Sequence, residues 1–196
     1  YQAMRTLSDG KSIIHRLVIP EGYTVHEILE NINSESLLVG SIHSDIPEGY
    51  LMPSTYFYSY GDKREKIVDL MRKRMSRTLD EIMSKLPTNS SLKNRNDVLI
   101  MASIIEKEAG YDDERTKIAA VFLNRLKKGM KLQADPTTAY AITNGKHKLT
   151  RSLTREDLKI VSPYNTYHIY GLPAGPIACP GRSSLEAVIS PAINND

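Results

Sequence analysis

The sequence has 196 residues and a mass of 22.0 kDa, which fits one large domain or two small ones. Apolar residues make up 40% and charged residues 25%, so the chain has enough apolar side chains to bury a core. The 26 basic and 23 acidic residues leave a net charge of +3, too small to indicate a nucleic-acid binder. Because Cys179 is the sole cysteine, an intrachain disulfide framework and a cysteine-based zinc cluster are excluded.

The charge is distributed unevenly along the chain. Residues 1–60 carry three basic and seven acidic residues, a net charge of −4, whereas residues 61–196 carry 23 and 16, a net charge of +7. We therefore predict a small N-terminal unit, residues 1–60, followed by a larger domain, residues 61–196. A basic domain suits an anionic or polar polymer, but a solvated surface explains the same charge equally simply. The sequence contains no run of about 18 apolar residues, the length that spans a membrane.

The first part of the N-terminal unit is predicted to form a strand and a helix. Residues 12–19 are rich in β-branched side chains and end at a Pro-Glu-Gly turn, which is typical of a strand. Thr24 and Glu27 have the spacing of a capping box, in which each side chain bonds the backbone of the other. Apolar residues at helical spacing follow as far as Ile32 and indicate a short amphipathic helix.

Two further features of the N-terminal unit each have two interpretations. The pentapeptide IPEGY occurs at 19–23 and again at 46–50. We interpret it as a turn used twice rather than a duplicated module, because the flanking sequences differ. The tyrosine-rich stretch 50–60 suits packing between two domains, or stacking of tyrosine rings on sugar rings.

Residues 61–196 are predicted to be rich in helices. Each helix has its own start signal. In chain order these are a cap formed by Asp62 with Glu65; Asn96 or Asp97; Asp112 or Asp113; Asp135 followed by Pro136; and a capping box of Ser183 with Glu186. The second of these helices is apolar on all sides over residues 98–105, apart from the small hydroxyl of Ser103. A helix that is apolar all round is expected to be buried at the centre of the domain.

Glu106 departs from this apolar pattern, since it lies near the end of the helix with Lys107 and Glu108. At about 100° per residue the two glutamates point roughly 160° apart, so only one of them can face a given cleft. Burial favours the protonated form of a carboxyl group, which is the form a general acid needs. The alternative is an ion pair, for example with Arg115, and the residues alone leave the two interpretations open.

Other catalytic arrangements find less support in the sequence. The five histidines have no metal-ligand spacing, and the sequence lacks a nucleophile elbow, a phosphate-binding loop and a dinucleotide fingerprint. Cys179 stands in no catalytic motif and is expected to be a small packed residue. A carboxyl group accompanied by tyrosine-rich and hydroxyl-rich loops favours chemistry on sugars.

Five motifs occur in order along the larger domain: ASIIEKE at 102–108, VFLNRL at 121–126, LQADPT at 132–137, SPYNTY at 162–167, and the glycine- and proline-rich 171–177. Together they resemble the endolytic murein transglycosylase family, also called MltG or YceG-like. In the N-terminal unit, IPEGYTVHEI is similar to the LysM-like portion of that family, and STYFYSYGD at 54–62 is similar to its bridging segment. The resemblance covers nearly the whole chain.

The resemblance implies an α+β fold, in which a small LysM-like α/β unit precedes a helix-rich catalytic domain with a lysozyme-like glutamate cleft. It implies a peptidoglycan lytic transglycosylase that cuts between MurNAc and GlcNAc inside glycan strands. It places the catalytic glutamate on Glu106. That residue would protonate the glycosidic oxygen and then accept the proton of the sugar's 6-hydroxyl, which attacks C1 and leaves a 1,6-anhydro end. No cofactor and no metal are implied.

The substrate-binding residues that match the family motifs are Gln133, Asn124, Tyr164, Asn165 and Tyr167. For Asn124 and Arg125 a structural role between helices is equally compatible with the sequence. Asp135 is expected to cap a helix, and would serve as a second carboxylate only in a hydrolase. A muramidase-type hydrolase and a non-catalytic peptidoglycan-binding module are the two alternatives to the transglycosylase.

The resemblance also bears on location and partners. It implies peptidoglycan glycan strands as the substrate and peptidoglycan synthases as neighbours in cell wall assembly. It implies a single-pass anchor at the extracytoplasmic face of the inner membrane. The family pattern has a membrane-spanning helix before its first motif and further residues after its Ser190-Pro191-Ala192 motif. We expect both to lie outside these 196 residues.

Overall fold

A computed structural model describes residues 13–192 as a helix-rich mixed α/β structure. Strands β1 (Ile14–Val18) and β2 (Thr55–Ser59) form a two-stranded antiparallel sheet, with Ile14 opposite Ser59 and Val18 opposite Thr55. The α-helices of the described part are α1 (Val25–Ser34), α2 (Arg64–Lys85), α3 (Arg95–Glu108), α4 (Arg115–Lys127), α5 (Asp135–Thr143) and α6 (Arg182–Ile189). Short 3₁₀ turns at Asp112–Glu114 and Asp157–Lys159 precede α4 and follow α5.

The local predictions for the N-terminal unit are confirmed. β1 lies inside the predicted run, and the capping box is present: the Thr24 hydroxyl accepts from the Glu27 amide, while the Glu27 carboxylate accepts from the Thr24 amide at 2.9 Å. Both copies of the pentapeptide form turns, with Gly22 and Gly49 at φ +75° and +86°. The repeated sequence is therefore a turn used twice, since only glycine adopts this backbone region without strain.

Strand β2 within the tyrosine-rich stretch was not predicted. Tyr56 and Tyr58 are buried, whereas Phe57 between them is 63% exposed, so the side chains alternate between the core and solvent. Tyr56 also donates to the carbonyl of Met52 at 2.6 Å, which satisfies its buried hydroxyl. The tyrosines in this strand therefore pack the N-terminal part of the structure, and neither of the two buried rings is available for stacking on a sugar.

Helix α3 is buried at the centre of a group of helices, as predicted. Every residue from Val98 to Glu106 is buried, and helices α2, α4, α5 and α6 pack around it. A second hydrophobic cluster contains residues of β1, α1 and β2 and the first half of α2. Helix α2, with 22 residues, is about 33 Å long and contributes to both clusters. Whether residues 1–60 form a separate unit stays a prediction, because the first twelve lie outside the described residues.

The predicted caps at the starts of α2 and α6 are wrong. Helix α2 begins at Arg64 without a side-chain cap, because the Asp62 carboxylate instead accepts from the Ser59 amide at 2.8 Å and pairs with Lys66. Helix α6 begins at Arg182 after Gly181, and the predicted box of Ser183 with Glu186 does not form. The Glu186 carboxylate is taken up by Arg182, at 2.8 Å.

The remaining helix starts lie close to their predicted positions. The cap of α3 is Asn94, whose side chain accepts from the Asp97 amide at 3.0 Å, two residues before the predicted start. Helix α4 follows the turn that starts at Asp112, and Gly129, at φ +65°, lies just beyond its end. No helix among residues 13–192 is long and apolar enough to cross a membrane.

Candidate active site

The two glutamates at the end of α3 face different parts of the protein. Glu106 is 9% exposed and points toward α4 and the start of α6. Glu108, two residues later, is exposed and points to the side where the loops around α5 meet. The helical geometry predicted that the two side chains diverge, but which elements each of them faces is visible only in the structure.

The carboxyl group of Glu106 is fully engaged by neighbouring donors. One oxygen accepts from Arg115 Nη2 at 3.0 Å. The other accepts from the Gly181 amide at 2.9 Å and from the Ser184 hydroxyl at 2.7 Å. Ser184 in turn accepts from Arg115 Nε at 3.0 Å, which closes the network. Gly181 is the N-cap of α6, so Glu106 provides the acceptor that this helix start lacks in its own sequence.

The three groups around this carboxyl group all donate hydrogen bonds to it, and one of them, Arg115, is a cation. The ion pair with Arg115, which the sequence left open as an alternative, is therefore present in the structure. None of these partners comes from the loop at 164–167.

Two of the sequence motifs fold against each other on the other side of α3. The backbone amide of Gln133 donates to the Thr166 carbonyl at 3.2 Å, and the backbone amide of Ala134 donates to the Thr166 hydroxyl at 2.9 Å. The Thr166 amide donates to the hydroxyl of Thr137 at 3.2 Å. Lys131 adds a hydrogen bond to the Tyr167 carbonyl at 3.0 Å. The motifs at 132–137 and 162–167 therefore form one cross-linked surface, which the sequence alone did not show.

Gln133 has an unusual backbone conformation within this surface. Its φ is +53°, in the left-handed region that costs a residue with a side chain about 1 kcal/mol or more. Leu132 and Ala134 on either side are fully buried, whereas Gln133 is exposed. The strained residue thus directs its amide side chain away from the core and toward solvent, as a ligand-binding residue requires.

Glu108, Asp135 and Tyr167 form an electrostatically coupled group beside Gln133. The Tyr167 hydroxyl donates to Asp135 Oδ1 at 2.7 Å. That hydrogen bond, followed by burial and the charges of Asp135 and Glu108, raises the pKa of Tyr167 to about 12. Although Glu108 reaches solvent, the protein around it displaces water, and this raises its pKa above the ordinary value, with the Asp135 charge adding to the effect.

This carboxyl pair is the arrangement that general acid catalysis needs. A glutamic acid with a raised pKa retains its proton nearer neutral pH, and an adjacent carboxylate can stabilise positive charge that develops on a substrate. Asp135 is the first residue of α5 and makes no capping hydrogen bond, so its predicted capping role is wrong. Its carboxylate instead accepts from Tyr167.

Three of the five predicted substrate-binding residues do not lie on the surface that contains Glu108. Asn165 is completely buried, and its amide is saturated: Oδ1 accepts from Thr138 and from the Tyr167 amide, and Nδ2 donates to the carbonyls of Leu158 and Ile160. It therefore supports the loop and has no hydrogen-bonding capacity left for a sugar.

Tyr164 and Asn124 are also turned away from Glu108. The Tyr164 ring packs on Tyr140, with 4.9 Å between ring centroids, and burial raises the pKa of its hydroxyl. Asn124 lies on the exposed face of α4, beside a cavity whose lining also includes Pro87 and Pro191. Its neighbour Arg125 has the structural role that the sequence allowed, donating to the Leu132 carbonyl at 2.5 Å. Only Gln133 and Tyr167 share the surface with Glu108.

The fold and this surface define a class: a helix-rich mixed α/β protein whose central buried helix ends beside an exposed pair of carboxyl groups. The chain belongs to the YceG-like family, whose family model matches residues 1–195. The resemblance stated from the motifs is thereby confirmed. Among residues 13–192, no group of three or more histidine, cysteine, aspartate or glutamate side chains is placed to hold a metal ion.

Two named relatives support the assignment to this family. An endolytic murein transglycosylase of Bacillus subtilis (strain 168) is 46% identical over 145 residues, which are 74% of this chain and 39% of that protein. An endolytic murein transglycosylase of Streptococcus pneumoniae (serotype 2, strain D39) is 29% identical over 91% of this chain and 39% of that protein. The chain thus spans about two fifths of the length of these relatives.

A solved structure has the same fold. The crystal structure of a YceG-like protein from Listeria monocytogenes superposes with a TM-score of 0.74 at 34% sequence identity. The match covers 99% of this chain and 72% of that one. The helix-rich arrangement described above is therefore that of a YceG-like protein.

Proposed function

We propose that this chain is the catalytic part of a peptidoglycan lytic transglycosylase that cleaves the MurNAc-GlcNAc bond inside glycan strands and leaves 1,6-anhydroMurNAc ends. The observation that carries the proposal is Glu108: an exposed carboxyl group with a raised pKa, beside Asp135, Tyr167 and Gln133. The names of the relatives, which act on murein, support the choice of substrate.

In the proposed mechanism one carboxyl group acts twice. Glu108 donates its proton to the glycosidic oxygen as the bond from that oxygen to C1 breaks. The resulting Glu108 carboxylate then removes the proton of the 6-hydroxyl of the same MurNAc, whose oxygen bonds to C1. The acid is regenerated and no water is consumed. The charge of Asp135 helps to raise the pKa of Glu108, so the acid keeps its proton nearer neutral pH, and Gln133 bonds polar groups of the sugar.

The resemblance places the acid on Glu106, and that assignment stays a prediction, but Glu106 has a different role in this proposal. Its carboxyl group is held by Arg115, Gly181 and Ser184, so turning it toward a sugar would break three hydrogen bonds. We assign it to positioning: it ties the end of α3 to the start of α6 and so fixes the direction in which Glu108 leaves the helix.

The wider setting belongs to the same proposal. Residues 1–60 would form a LysM-like unit that holds the glycan strand, and the surface around Glu108 would be a lysozyme-like glutamate cleft. The protein would work at the extracytoplasmic face of the inner membrane, next to peptidoglycan synthases. Support for this setting comes from the sequence motifs, and the names of the relatives, endolytic murein transglycosylases, support murein as the substrate.

A hydrolase is the second candidate, because muramidases use two carboxyl groups and the charge of Asp135 is close enough to Glu108 to raise its pKa. The two reactions differ in the mass of the product, since the anhydro end lacks one water, about 18 Da. Isolated glycan strands are digested and the fragments are weighed by mass spectrometry. Anhydro ends support the transglycosylase, reducing ends support the hydrolase, and binding without cleavage supports a binding module.

A further inference from the structure

The first copy of the IPEGY pentapeptide forms a turn that packs on the acidic end of α3. The backbone amide of Gly22 donates to the Cys179 carbonyl at 3.0 Å, and the Cys179 amide donates to the Tyr23 carbonyl at 2.8 Å. Lys107 Nζ donates to the Gly22 carbonyl at 3.2 Å. A Cβ atom at Gly22 would lie 3.5 Å from Cγ of Glu106. The turn is therefore in direct contact with Glu106, although the two are far apart in the sequence.

Glu21, the acidic residue of this turn, extends over the network that holds Glu106. Its Oε2 lies 3.8 Å from Arg115 Nη2, the same nitrogen that donates to Glu106 at 3.0 Å. Its carboxylate lies directly on Gly181, where a Cβ atom would overlap it. The backbone amide of Gly181 donates to the other oxygen of Glu106 at 2.9 Å. Glu21 is therefore next to both the cation and the amide that hold Glu106.

The charges of these groups act on one another. Burial raises the pKa of Glu21, the charge of Glu106 raises it further, and the charge of Arg115 lowers it. Because Arg115 also pairs with Asp112, three carboxyl groups surround one guanidinium group. The side chain of Glu21 is 45% exposed and borders a cavity of about 410 Å³. Shortening this side chain would therefore enlarge an open cavity and leave no closed void in the core.

The second copy of the pentapeptide makes different contacts. Its glutamate, Glu48, accepts from the Val25 amide at 2.8 Å and from the Gly49 amide at 3.1 Å. The Tyr140 hydroxyl donates a third, longer hydrogen bond to it at 3.4 Å. The equivalent residues of the two turns thus face different parts of the protein, and Glu48 provides a matched control for Glu21.

We infer that Glu21 is a positioning residue for the reaction, because it holds Arg115 and Gly181 around Glu106 and so fixes the end of α3 against the start of α6; this inference rests on the proposed function. Both glutamates at the end of α3 extend from the same last turn, so the role of Glu21 is the same whichever of them donates the proton. A displacement of about 1 Å at a reacting group can lower the rate about 10²-fold. The N-terminal turn thereby contributes a residue to the site of the larger domain.

A double-mutant cycle on isolated glycan strands tests this role. Glu21→Ala removes the carboxylate, and Gly181→Ala displaces it, because the added Cβ atom takes the space that it occupies. Gly181 has φ −76°, so alanine fits its backbone conformation. We expect each variant to lower kcat by about three- to tenfold, with KM within about twofold of the wild type. In the double variant the Cβ atom enters vacated space, so kcat should be no lower than in Gly181→Ala alone.

Glu48→Gln is the control for a general loosening of the two turns. It weakens the contacts of the second turn, and it should keep kcat within about twofold of the wild type at a temperature where the protein is folded. Wild-type kcat in Glu21→Ala, or an equal loss of kcat in Glu48→Gln, overturns the positioning role. Additive losses in the double variant also overturn it, since they place Glu21 and Gly181 in separate networks.

Hydrogen exchange of the Gly181 amide separates this role from the proposed function. The amide is bonded to Glu106 and covered by Glu21, so Glu21→Ala should raise its exchange rate about tenfold, while Glu48→Gln leaves it unchanged. This pattern supports the role of Glu21 even if the wild type cleaves no strand. Equal exchange rates in the wild type and in Glu21→Ala overturn it while the cleavage activity stands.

Discussion

Replacing Glu106 with glutamine should destabilise the fold, because Glu106 joins three elements through one carboxylate. The side chain of Arg115 is 10% exposed and that of Glu106 is 5% exposed, so the variant removes a charge from a buried ion pair. Breaking such a pair costs about 3–5 kcal/mol when one charge is left uncompensated. Arg115 retains Asp112 and lies 3.8 Å from Glu21, which offsets part of that cost.

Glutamine also cannot reproduce the hydrogen bonds of Glu106. One of its two terminal atoms is a donor, and it must face either Arg115 or the Gly181 amide, both of which are donors. We therefore expect Glu106→Gln to lower the free energy of unfolding by about 2–3 kcal/mol. For a chain of this size, that corresponds to a fall in Tm of about 4–12 °C.

The assay is urea denaturation followed by circular dichroism, with Tm measured in parallel. The matched control is Glu108→Gln, the same substitution two residues away on an exposed side chain, which should change the unfolding free energy by less than about 0.5 kcal/mol. The reasoning is refuted if Glu106→Gln unfolds like the wild type, because a carboxylate with a structural role cannot be neutralised without loss.

Two other substitutions test the neighbouring surface. Asn165→Ala leaves the Thr138 hydroxyl and the Leu158 and Ile160 carbonyls without their partner, so we expect a loss of about 3 kcal/mol in urea denaturation and faster hydrogen exchange of the Tyr167 amide; unchanged exchange would show that Asn165 does not support the loop. Asp135→Asn removes the charge that, after burial, raises the pKa of Glu108, so the pH at which cleavage falls off on the alkaline side should move to a lower value. An unchanged pH–rate profile would show that the charge of Asp135 does not affect the pKa of the acid.

Much of the architecture was predictable from local patterns. The capping box at Thr24 and the turn glycines Gly22 and Gly49 depend on residues within a few positions, and the structure has them as predicted. The unbroken apolar run of α3 predicted its central burial, because a helix without a polar face has to be covered on all sides. Such features depend on neighbours in the sequence, which is why the sequence reveals them.

The errors share one cause, which is competition from another partner, near in the sequence for Asp62 and distant for Asp135 and for the start of α6. Asp62, Asp135 and Ser183 all stand at positions that favour a helix cap. In the structure the Asp62 carboxylate bonds Ser59 and Lys66, and the Asp135 carboxylate bonds Tyr167. At α6 the long-range acceptor Glu106 bonds the Gly181 amide. A partner up to 75 residues away in the chain cannot be inferred from the spacing of nearby residues.

The candidate site was predictable to the level of a short segment. The motifs led to the EKE segment and to the loops at 132–137 and 162–167, and the structure brings the Glu108 end of that segment together with these loops. The division of roles between Glu106 and Glu108 depends on which side of α3 the loops occupy. The positive φ of Gln133 is visible only in the structure.

The most direct test of the account compares the cleavage rates of Glu106→Gln and Glu108→Gln on isolated glycan strands at a temperature where both variants are folded. The account predicts that Glu108→Gln reduces kcat by about 10²–10⁴, the usual contribution of a general acid, while Glu106→Gln retains a rate within about tenfold of the wild type. If Glu108→Gln cleaves at the wild-type rate and folded Glu106→Gln is inactive, the proton donor is Glu106 and the assignment made from the geometry is contradicted.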